Sequence, residues 1–350
     1  MKEITSRILL TLAIPTFNRL DCLRLLVESV IHQIPSEGIL GEAFELLICN
    51  NASTDGTTDY IKELANIKGI RIIHHPENRG AANNVIHCFE AAAGKYVWIM
   101  GDDDVPLGGA INAVLECIER DQPELMYLPS KWVAGDLGEL AKNQISSKKI
   151  RGLDSLSLAV RSSIYVTFLS SWVVNKDSYL SQFDAMIDRH QDTLLPQLEW
   201  SFALMAKGNK FICAEGSWVI ARAGSSGGYS VFEVFSHQYN RIVDERLADS
   251  PQLHRFFRKS VLWCFIPGLV WGVRKNAIGN FGEFDKEKAM SILKSAYGND
   301  IFFMLIVVPM IIFNKPVAWF FWFLARVMSK LWLYGWRKRP SLASLGNVNY

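Results

Sequence analysis

Short apolar runs alternate with amphipathic patterns along the first 130 residues of the chain. Between the runs, apolar side chains recur every three or four positions, as on the buried face of a helix. This alternation predicts βαβ units, a mainly parallel sheet and right-handed crossover connections. The predicted strands are rich in branched and aromatic residues, as expected of strands covered on both faces; they are Ile8–Ile14, Phe44–Cys49, Ile70–Ile73, Tyr96–Met100 and Leu125–Leu128.

Polar segments follow the first four predicted strands: Pro15–Arg19, Asn50–Thr57, His74–Gly80 and Gly101–Asp104. Because the carboxyl ends of parallel strands meet at one edge of a sheet, and ligands bind at that edge, these segments are the candidate site.

The last of these segments carries three consecutive carboxylates, Asp102, Asp103 and Asp104. Crowded carboxylates behind an apolar strand are costly unless a cation neutralises them. Mg²⁺ or Mn²⁺ suits such a place, since each takes one or two carboxylates together with substrate phosphates. We predict that Asp104 binds the metal and that Asp102 contacts sugar or ribose hydroxyls or serves as a second metal ligand. Asp103 is expected to turn away from both, although an acidic, solvated turn is the alternative reading of all three.

Four ordered motifs resemble the family 2 glycosyltransferases, which have the GT-A fold. The motifs lie within about residues 8–130: Ala13–Arg19, Asn50–Thr57, Asn78-Arg79-Gly80 with Asn83, and Asp102–Asp104. The resemblance implies a Rossmann-like, mainly parallel α/β sheet, a nucleotide-diphosphate sugar donor, a divalent metal (Mn²⁺ or Mg²⁺) and inversion at the anomeric carbon. It implies donor-binding roles for Pro15, Thr16, Asn18, Arg19, Asn50, Asn51, Ser53, Asp55, Asn78, Arg79, Gly80, Asn83, Asp102 and Asp103.

Some of these residues also have simpler structural readings. Ser53 or Asp55 could cap the helix that follows them. At Asn50 and Asn51 the chain departs from the family, which usually has an aspartate there. A carboxamide can donate as well as accept a hydrogen bond, so uridine, cytidine, thymidine and guanosine all remain open as the donor nucleoside.

A second set of candidates surrounds a helix predicted from Gln197 to Lys207, with Pro196 before it and Gly208 after it. In the family, this helix start carries the carboxylate that deprotonates the acceptor hydroxyl. Here Gln197 occupies that place, and the candidate bases are Glu199 and Asp192. Glu199 would also be favoured in a first helical turn by the helix dipole alone, and Asp192 could be an ordinary loop residue.

Three further segments are predicted on the acceptor side. Lys131–Arg151 is expected to be a surface excursion near the site, and Thr167–Val174 and Trp218–Arg222 have the composition of strands. The glycine-rich loop after the last of these could close over phosphates. By resemblance, His237 is a candidate ligand of the metal or diphosphate; the alternative is a histidine on a helix surface.

The last hundred residues differ in composition from the rest. Val261–Val273, Ile301–Phe313 and Val317–Trp336 are strongly apolar, and from Lys315 to Tyr350 there is no Asp or Glu beside six Lys and Arg. Aromatic and basic residues without acidic ones are typical of the cytoplasmic interface of an anionic membrane. We predict a helix or re-entrant hairpin lying in the inner leaflet, peripheral or monotopic, the alternative being a helix that packs on the catalytic domain or on a second copy of the chain.

Composition narrows the function further. The chain of 350 residues has 37 basic and 35 acidic side chains and a net charge of +2, which argues against nucleic acid as a partner. Its six cysteines are widely spaced, so buried thiols in a reducing compartment are expected. The amino-terminal apolar run is short and lacks a cleavage site, so it is interpreted as a strand and not a secretory signal.

These observations predict a GT-A catalytic domain over residues 1–250, with a nucleotide-sugar half (1–130) and an acceptor half (131–250), and a helical, membrane-associating region over 251–350. The predicted function is transfer of a sugar to a lipid-linked glycan in O-antigen or capsule synthesis at the cytoplasmic face of the inner membrane. A non-catalytic nucleotide-sugar-binding or scaffold protein of the same fold is the alternative, favoured by Gln197. A nucleotidyltransferase normally has a glycine-rich phosphate loop directly after the first strand. Because Pro15–Arg19 contains no glycine, this function is disfavoured.

Overall fold

A computed structural model describes residues 8–34, 42–135, 137–183, 193–223, 230–275 and 284–338. Contacts between Cα atoms divide the chain into two units. The first comprises residues 1–153 and 167–223, and the second comprises 154–166 and 224–350. The sequence-based boundary lay at residue 250; here the chain enters the second unit at 224, and a short segment from the middle of the chain joins it.

The described strands are β1 (Leu10–Thr16), β2 (Phe44–Asn50), β3 (Ile70–His74), β4 (Tyr96–Ile99), β5 (Val105–Pro106), β6 (Leu125–Tyr127), β7 (Ser130–Val133), β8 (Ile150–Leu153), β9 (Trp172–Asn175), β10 (Phe211–Ala214) and β11 (Val219–Arg222). The larger sheet has the order β3-β2-β1-β4-β9-β6-β10-β8. Its members β3, β2, β1 and β4 are parallel, β9 runs antiparallel to β4 and β6, and β8 runs antiparallel to β10. A smaller sheet has the order β5-β11-β7.

The described helices, numbered along the chain, are α1 (Leu20–His32), α2 (Thr57–Leu64), α3 (Ala81–Ala91), α4 (Ala110–Asp121), α5 (Gly138–Ala141), α6 (Ser155–Ser162), α7 (Lys176–Gln182), α8 (Gln197–Lys207), α9 (Val231–Glu233), α10 (Tyr239–Arg246), α11 (Pro251–Ser260), α12 (Ile266–Arg274), α13 (Lys286–Tyr297), α14 (Val308–Ile312) and α15 (Lys315–Arg337). Segments with π-helical bonding precede α10, α12 and α14, at Val234–Gln238, Val261–Phe265 and Phe303–Val307.

The predicted strands of the first 130 residues are confirmed. The first is shifted by two residues, since β1 runs from Leu10 to Thr16 and pairs through its whole length with β2. Its Leu10, Leu12 and Ile14 are fully buried in one apolar cluster with Leu23 and Val27 of α1. Because both elements bury their apolar side chains in this cluster, β1 could be predicted from its apolar run and α1 from apolar residues spaced three or four positions apart.

The chain builds the sheet outward from β1 to β2 and β3, then returns to place β4 on the other side of β1. This reversal opens a crevice at the carboxyl ends of β1 and β4, the position at which ligands bind in open α/β sheets. Because β9 is antiparallel to β4, the residues that precede β9 reach the same edge. The residues just before β9 form a short 3₁₀ turn at Leu169–Ser171, where the sequence predicted a continuous strand from Thr167.

In the second unit, α6 packs with α11 and α15. Stacked and edge-on rings join Phe256 of α11 to Trp332 and Trp336 of α15. The guanidinium of Arg274, at the end of α12, donates to the carbonyl oxygens of Met310, Ile311 and Phe313. These are carbonyls at the end of α14 that have no partner within the helix, so Arg274 stabilises that helix end.

One helix among the described residues, Pro251–Arg274, is long and apolar enough to cross a membrane by length and composition. The mean hydropathy of its most apolar stretch of 18 residues is 1.2, and 56% of that stretch is buried inside the protein. Helix α15 leaves a row of apolar side chains exposed at positions three or four residues apart: Phe320, Phe323, Val327, Leu331 and Tyr334.

Candidate active site

A hydrogen bond joins the ends of β1 and β4. The hydroxyl of Thr16, the last residue of β1, donates to Oδ2 of Asp102, two residues beyond Met100, at 2.9 Å. Both side chains are buried. The predicted acidic segment therefore lies in the crevice where the strand order reverses.

Arg19 connects the first motif to the acidic segment. Its Nη1 lies 2.6 Å from Oδ2 of Asp103 and 3.3 Å from Oδ1 of Asp102. The expectation that Asp103 turns away from Asp102 is wrong, because residues 101–104 form a tight turn in which the backbone N–H of Asp104 donates to the carbonyl of Gly101. Strand alternation does not apply inside such a turn, and Asp102 and Asp103 reach the same guanidinium.

Asp104 faces a different set of donors. Its Oδ2 accepts a 2.5 Å hydrogen bond from the hydroxyl of Ser170, and its Oδ1 accepts from the backbone N–H of Arg222 at 3.2 Å. Ser170 Oγ in turn accepts from the backbone N–H of Gly101 at 2.9 Å. A Cβ at Gly101 would lie 3.1 Å from Oδ2 of Asp104, so a glycine at this position provides space for the carboxylate.

Burial dominates the electrostatics of these carboxylates. It raises the pKa of Asp102 to about 6 against the opposing attraction of Arg19. Burial, reinforced by the charge of Asp103, raises the pKa of Asp104 to about 7, although Ser170 and the Arg222 amide counteract it. Desolvation disfavours the charged form of an acid. Near neutral pH, a cation bound beside these carboxylates would therefore stabilise their charged form.

The donor chemistry of the site fits a hard divalent cation. Asp102 and Asp104 present oxygen ligands alone, and raised pKa values show that their negative charge is poorly compensated. Mg²⁺ and Mn²⁺ take one or two carboxylates and complete their coordination with substrate phosphates. Within the described parts of the chain, no group of three or more His, Cys, Asp or Glu side chains could hold a metal ion by themselves.

The first two motifs interlock through their backbones. The N–H of Asn18 donates to Ser53 Oγ at 2.9 Å, and Oδ1 of Asn18 accepts from the N–H of Thr54 at 2.7 Å. Asn18 adopts a left-handed backbone conformation (φ 53°), which asparagine tolerates better than most residues. Pro15 precedes this turn within β1, where it pairs with Cys49.

Asp55 stabilises the beginnings of two helices. Its carboxylate accepts from the N–H of Leu20, the first residue of α1, and from the N–H and hydroxyl of Thr57, the first residue of α2. Burial would raise its pKa, but these hydrogen bonds prevail and leave the pKa of Asp55 below its ordinary value. Helix capping is therefore a demonstrated role of Asp55.

Asn50 and Asn51 both use their carboxamides inside the protein. Asn50 accepts from the N–H of Ser53 and donates to Thr58 Oγ1, and it lies 3.4 Å from Nδ1 of His74. Asn51 accepts from the N–H of Arg79 and donates to Asn78 Oδ1 at 2.8 Å.

The second and third motifs are thus joined into one edge. Asn78 Oδ1 also accepts from the N–H of Gly80, which has a positive φ of 82°, and Asn83 donates to the carbonyl of Arg79. The side chain of Arg79 is exposed beside this edge.

Helix α8 runs from Gln197 to Lys207, as predicted. Gln197 is buried and its Nε2 donates to the carbonyl of Thr167, just before the 3₁₀ turn that carries Ser170. Glu199 is fully buried in the first turn of the helix. Asp192 lies outside the described residues, so both candidate bases stay predictions.

His237 belongs to the second unit. Its Nδ1 lies 2.8 Å from the Glu233 carboxylate and its Nε2 lies 2.7 Å from Ser295 Oγ. Both ring nitrogens thus have partners within that unit, and a metal-binding role for His237 stays a prediction.

Residues 11–179 match the family described as Glycosyl transferase family 2. These residues form a family 2 glycosyltransferase domain. They include β1 from its second residue, β2 to β4 and all four motifs, so the resemblance seen in the sequence is confirmed.

Curated relatives resemble this family 2 domain at moderate identity. The abequosyltransferase RfbV of Salmonella typhimurium is 30% identical over 134 residues, which are 38% of this chain and 39% of RfbV. The uncharacterized glycosyltransferase YibD of Escherichia coli is 28% identical over 131 residues, 37% of this chain and 36% of YibD. The chain spans less than half the length of the curated relatives it matches.

Solved structures extend the likeness beyond the family 2 domain to most of the chain. Residues 1–349 of S. aureus TarS in complex with UDP superpose with a TM-score of 0.59 at 14% identity, covering 95% of this chain and 93% of that chain. The complex of the same protein with UDP-GlcNAc gives a TM-score of 0.53 at 13% identity over the same shares. This likeness establishes the GT-A fold.

The structure adds two groups that sequence reasoning missed, the Ser170 hydroxyl and the backbone N–H of Arg222. Ser170 lies 66 positions after Asp104 and belongs to no motif, so the sequence carried no signal for it. Arg222 acts through its backbone N–H, which any residue type except proline would supply.

Proposed function

We propose that the protein is a metal-dependent, inverting glycosyltransferase that moves a sugar from a nucleotide-diphosphate donor to a lipid-linked glycan during assembly of a bacterial surface polysaccharide. The observation that carries this proposal is the position of Asp102 and Asp104, buried, with raised pKa values, at the switch point of a family 2 domain. The specific polysaccharides we propose are O-antigen or capsule repeat units. RfbV is an abequosyltransferase by name, and TarS is seen with UDP and with UDP-GlcNAc, which supports a nucleotide-sugar donor here.

The donor would lie along the edge formed by β1 to β4. Thr16 and Arg19 hold Asp102 and Asp103 in place, while the interlocked turns at Asn18, Ser53 and Asn51 shape the nucleoside side. Since the Asn50 and Asn51 carboxamides already have protein partners, they support recognition of the nucleoside by shaping this edge.

Asp104 and Asp102 would hold a divalent cation, whose chemistry is to neutralise the negative charge of the leaving diphosphate. Ser170 and the Arg222 amide orient Asp104 for this role and limit its motion. A carboxylate fixed by two donors loses little conformational entropy when the donor substrate binds.

Inversion requires a base on the side of the sugar opposite the leaving group. Glu199, in the first turn of α8, and Asp192 are the proposed residues that take the proton of the acceptor hydroxyl. Gln197 cannot accept that proton, and it supports the site instead by anchoring the segment before Ser170 through the Thr167 carbonyl.

An acceptor with a lipid carrier remains in the membrane, so the enzyme would work on the cytoplasmic face of the inner membrane. The exposed apolar row of α15 and its basic residues Arg326, Lys330 and Arg337 support peripheral attachment there. Such a helix lies in the interface with its apolar side toward the acyl chains and its cations near anionic headgroups.

A screen of nucleotide sugars by thermal shift in the presence of Mn²⁺ tests the proposal. A ligand that binds the native state alone raises the unfolding midpoint, and the effective donor should then be hydrolysed by the wild type. Asp104→Asn should abolish hydrolysis while the protein stays folded. Equal turnover in wild type and Asp104→Asn would overturn the proposal.

Gln197 favours one rival function, a non-catalytic nucleotide-sugar-binding protein of the same fold. The same experiment separates the two. A binding protein would show the thermal shift without any hydrolysis or transfer, in the wild type as well as in the variant.

A further inference from the structure

A tryptophan lies exposed near the acidic site. Trp132, on β7, is 46% exposed, which is unusual for a side chain of this size. Its ring contacts that of Phe168, with centroids 4.7 Å apart and planes at 51°. Phe168 is half-buried and packs against the main apolar cluster. The pair is therefore an aromatic surface anchored from below by the core.

Both rings are attached to segments that hold Asp104. Trp132 pairs in register with Ala221 of β11, and the next residue, Arg222, gives its backbone N–H to Asp104 Oδ1. Phe168 lies between Thr167, which accepts from Gln197, and Ser170, which donates to Asp104. The aromatic pair thus adjoins both the carboxylate and the start of α8.

The order of strands fixes the side of the carboxylates on which the pair lies. The turns assigned to the nucleoside follow β1, β2 and β3, and the acidic turn follows β4. Phe168 precedes β9, the neighbour of β4 on the side away from β1. A donor whose nucleoside lies toward β3 and whose diphosphate lies at β4 leaves the β9 side to the sugar acceptor.

We propose that Trp132 and Phe168 form a stacking platform for a sugar ring of the acceptor glycan, an inference that rests on the proposed transferase function. Pyranose rings present one face of C–H groups, and aromatic rings carry negative charge on their faces that attracts these groups. Strand alternation directs Val133 into the small apolar cluster of Val105, Leu107, Leu137 and Ile220, and so directs Trp132 to the opposite face of β7.

The test uses the full-length protein and methyl β-glycosides of glucose, galactose, mannose and N-acetylglucosamine as probes. Saturation-transfer NMR in the presence of Mn²⁺ and, in turn, UDP, CDP, dTDP and GDP should show contact with the ring C–H protons of at least one of them. Trp132→Ala should weaken that binding roughly five- to tenfold, and Trp132→Phe should retain most of it.

Leu180→Ala is the matched control, since Leu180 is 44% exposed on α7, which follows the opposite end of β9. It should bind the glycosides as the wild type does. Trp132→Ala should keep the wild-type unfolding temperature, because an exposed side chain contributes little to the core.

Three results would overturn the platform. They are unchanged glycoside binding in Trp132→Ala, the absence of binding by the wild type with all four nucleoside diphosphates, and a loss of nucleotide-sugar affinity in Trp132→Ala with the affinity for the nucleoside diphosphate intact. The last would assign the rings to the donor sugar. Each differs from failure of the transferase proposal, because that proposal is tested by donor hydrolysis in the wild type and by its loss in Asp104→Asn.

Discussion

The hydroxyl of Ser170 lies 2.5 Å from Oδ2 of Asp104 and so connects the turn before β9 to the acidic turn after β4. Ser170 Oγ also accepts a hydrogen bond from the N–H of Gly101, so one buried hydroxyl satisfies two groups of the acidic turn. A structural serine outside every motif thus determines how the proposed metal ligand is presented.

Replacement of Ser170 by alanine should therefore weaken both stability and turnover. Loss of the hydroxyl leaves a buried carboxylate oxygen and a backbone N–H without this partner, at a cost of about 1–3 kcal/mol. Urea denaturation of wild type and Ser170→Ala measures it. Ser181→Ala serves as control, because Ser181 is exposed and bonds within its own helix; equal stability of Ser170→Ala and wild type would contradict the prediction.

In the metal-free protein, the contribution of Asp102 and Asp104 to the free energy of unfolding should fall as pH rises from 4 to 8. Asp104 has its pKa raised to about 7 and Asp102 to about 6, so between an ordinary pKa near 4 and these values the native state binds more protons than the unfolded state. Stability from these groups is complete below the unfolded pKa and is lost as pH passes the folded pKa. Asp104→Asn should be more stable than the wild type at pH 8 by roughly 1–3 kcal/mol.

Thermal unfolding between pH 4 and 8 in the presence of a chelator measures this effect. The unfolding temperature of Asp104→Asn should rise relative to that of the wild type as pH increases from 4 to 8. Added Mn²⁺ should stabilise the wild type more than the variant. Parallel curves for the two proteins would show that Asp104 makes no pH-dependent contribution to stability.

A histidine pair should make the protein sensitive to acid. Nε2 of His75 lies 3.1 Å from Nδ1 of His87. Burial lowers the pKa of both, with further lowering of His75 by His87 and Arg79, and of His87 by Arg79 and Arg71. The unfolded state therefore binds more protons, and this stability, present above the unfolded pKa of about 6.5, is lost as pH falls through the folded values.

The free energy of unfolding of the wild type, measured relative to that of His87→Gln, should fall between pH 7 and pH 5. Urea midpoints at half-unit steps of pH measure the difference. An exposed histidine, His32, supplies the control variant His32→Gln, which should follow the wild type. If the urea midpoint of His87→Gln changed with pH as that of the wild type does, the histidine pair would be excluded as the source of the acid sensitivity.

Membrane attachment through α15 should depend on its exposed apolar row. Phe320, Phe323 and Leu331 are all more than half exposed, so their joint change to serine should leave stability unchanged. Burial of one such side chain contributes about 1.5–3 kcal/mol, so binding to phosphatidylglycerol vesicles should fall at least about tenfold.

Sedimentation with vesicles gives this measurement. Leu180→Ser controls for the loss of an exposed apolar residue outside the second unit. Arg326→Gln with Lys330→Gln should reduce binding to anionic vesicles and weaken its dependence on salt. Vesicle binding that survives all these changes would assign attachment to another surface.

Glu199→Gln tests the proposed base. A positioned general base contributes roughly 10²–10⁴-fold in rate, so transfer should fall by that order while donor binding, followed by thermal shift, stays near that of the wild type. Glu199→Asp should recover part of the rate. If Glu199→Gln transfers normally, Asp192 becomes the candidate base.

Much of the donor half followed from the chain alone, since its strands are apolar runs and its helices are apolar stripes. The sheet, its four polar segments and helix Gln197–Lys207 were predicted because local period and turn residues specify them. The family resemblance was confirmed on the same residues.

The tertiary structure decided what depends on contacts between distant positions. It turned Asp103 toward Arg19, paired Asp104 with Ser170 and Arg222, bonded Asn51 to Asn78, and joined residues 154–166 to the C-terminal helices. Local sequence patterns carry no record of these, because each arises when chain segments tens of residues apart meet at one edge of the sheet or in one bundle. The sequence by itself determined which residues could do the chemistry, and packing determined how each is aimed.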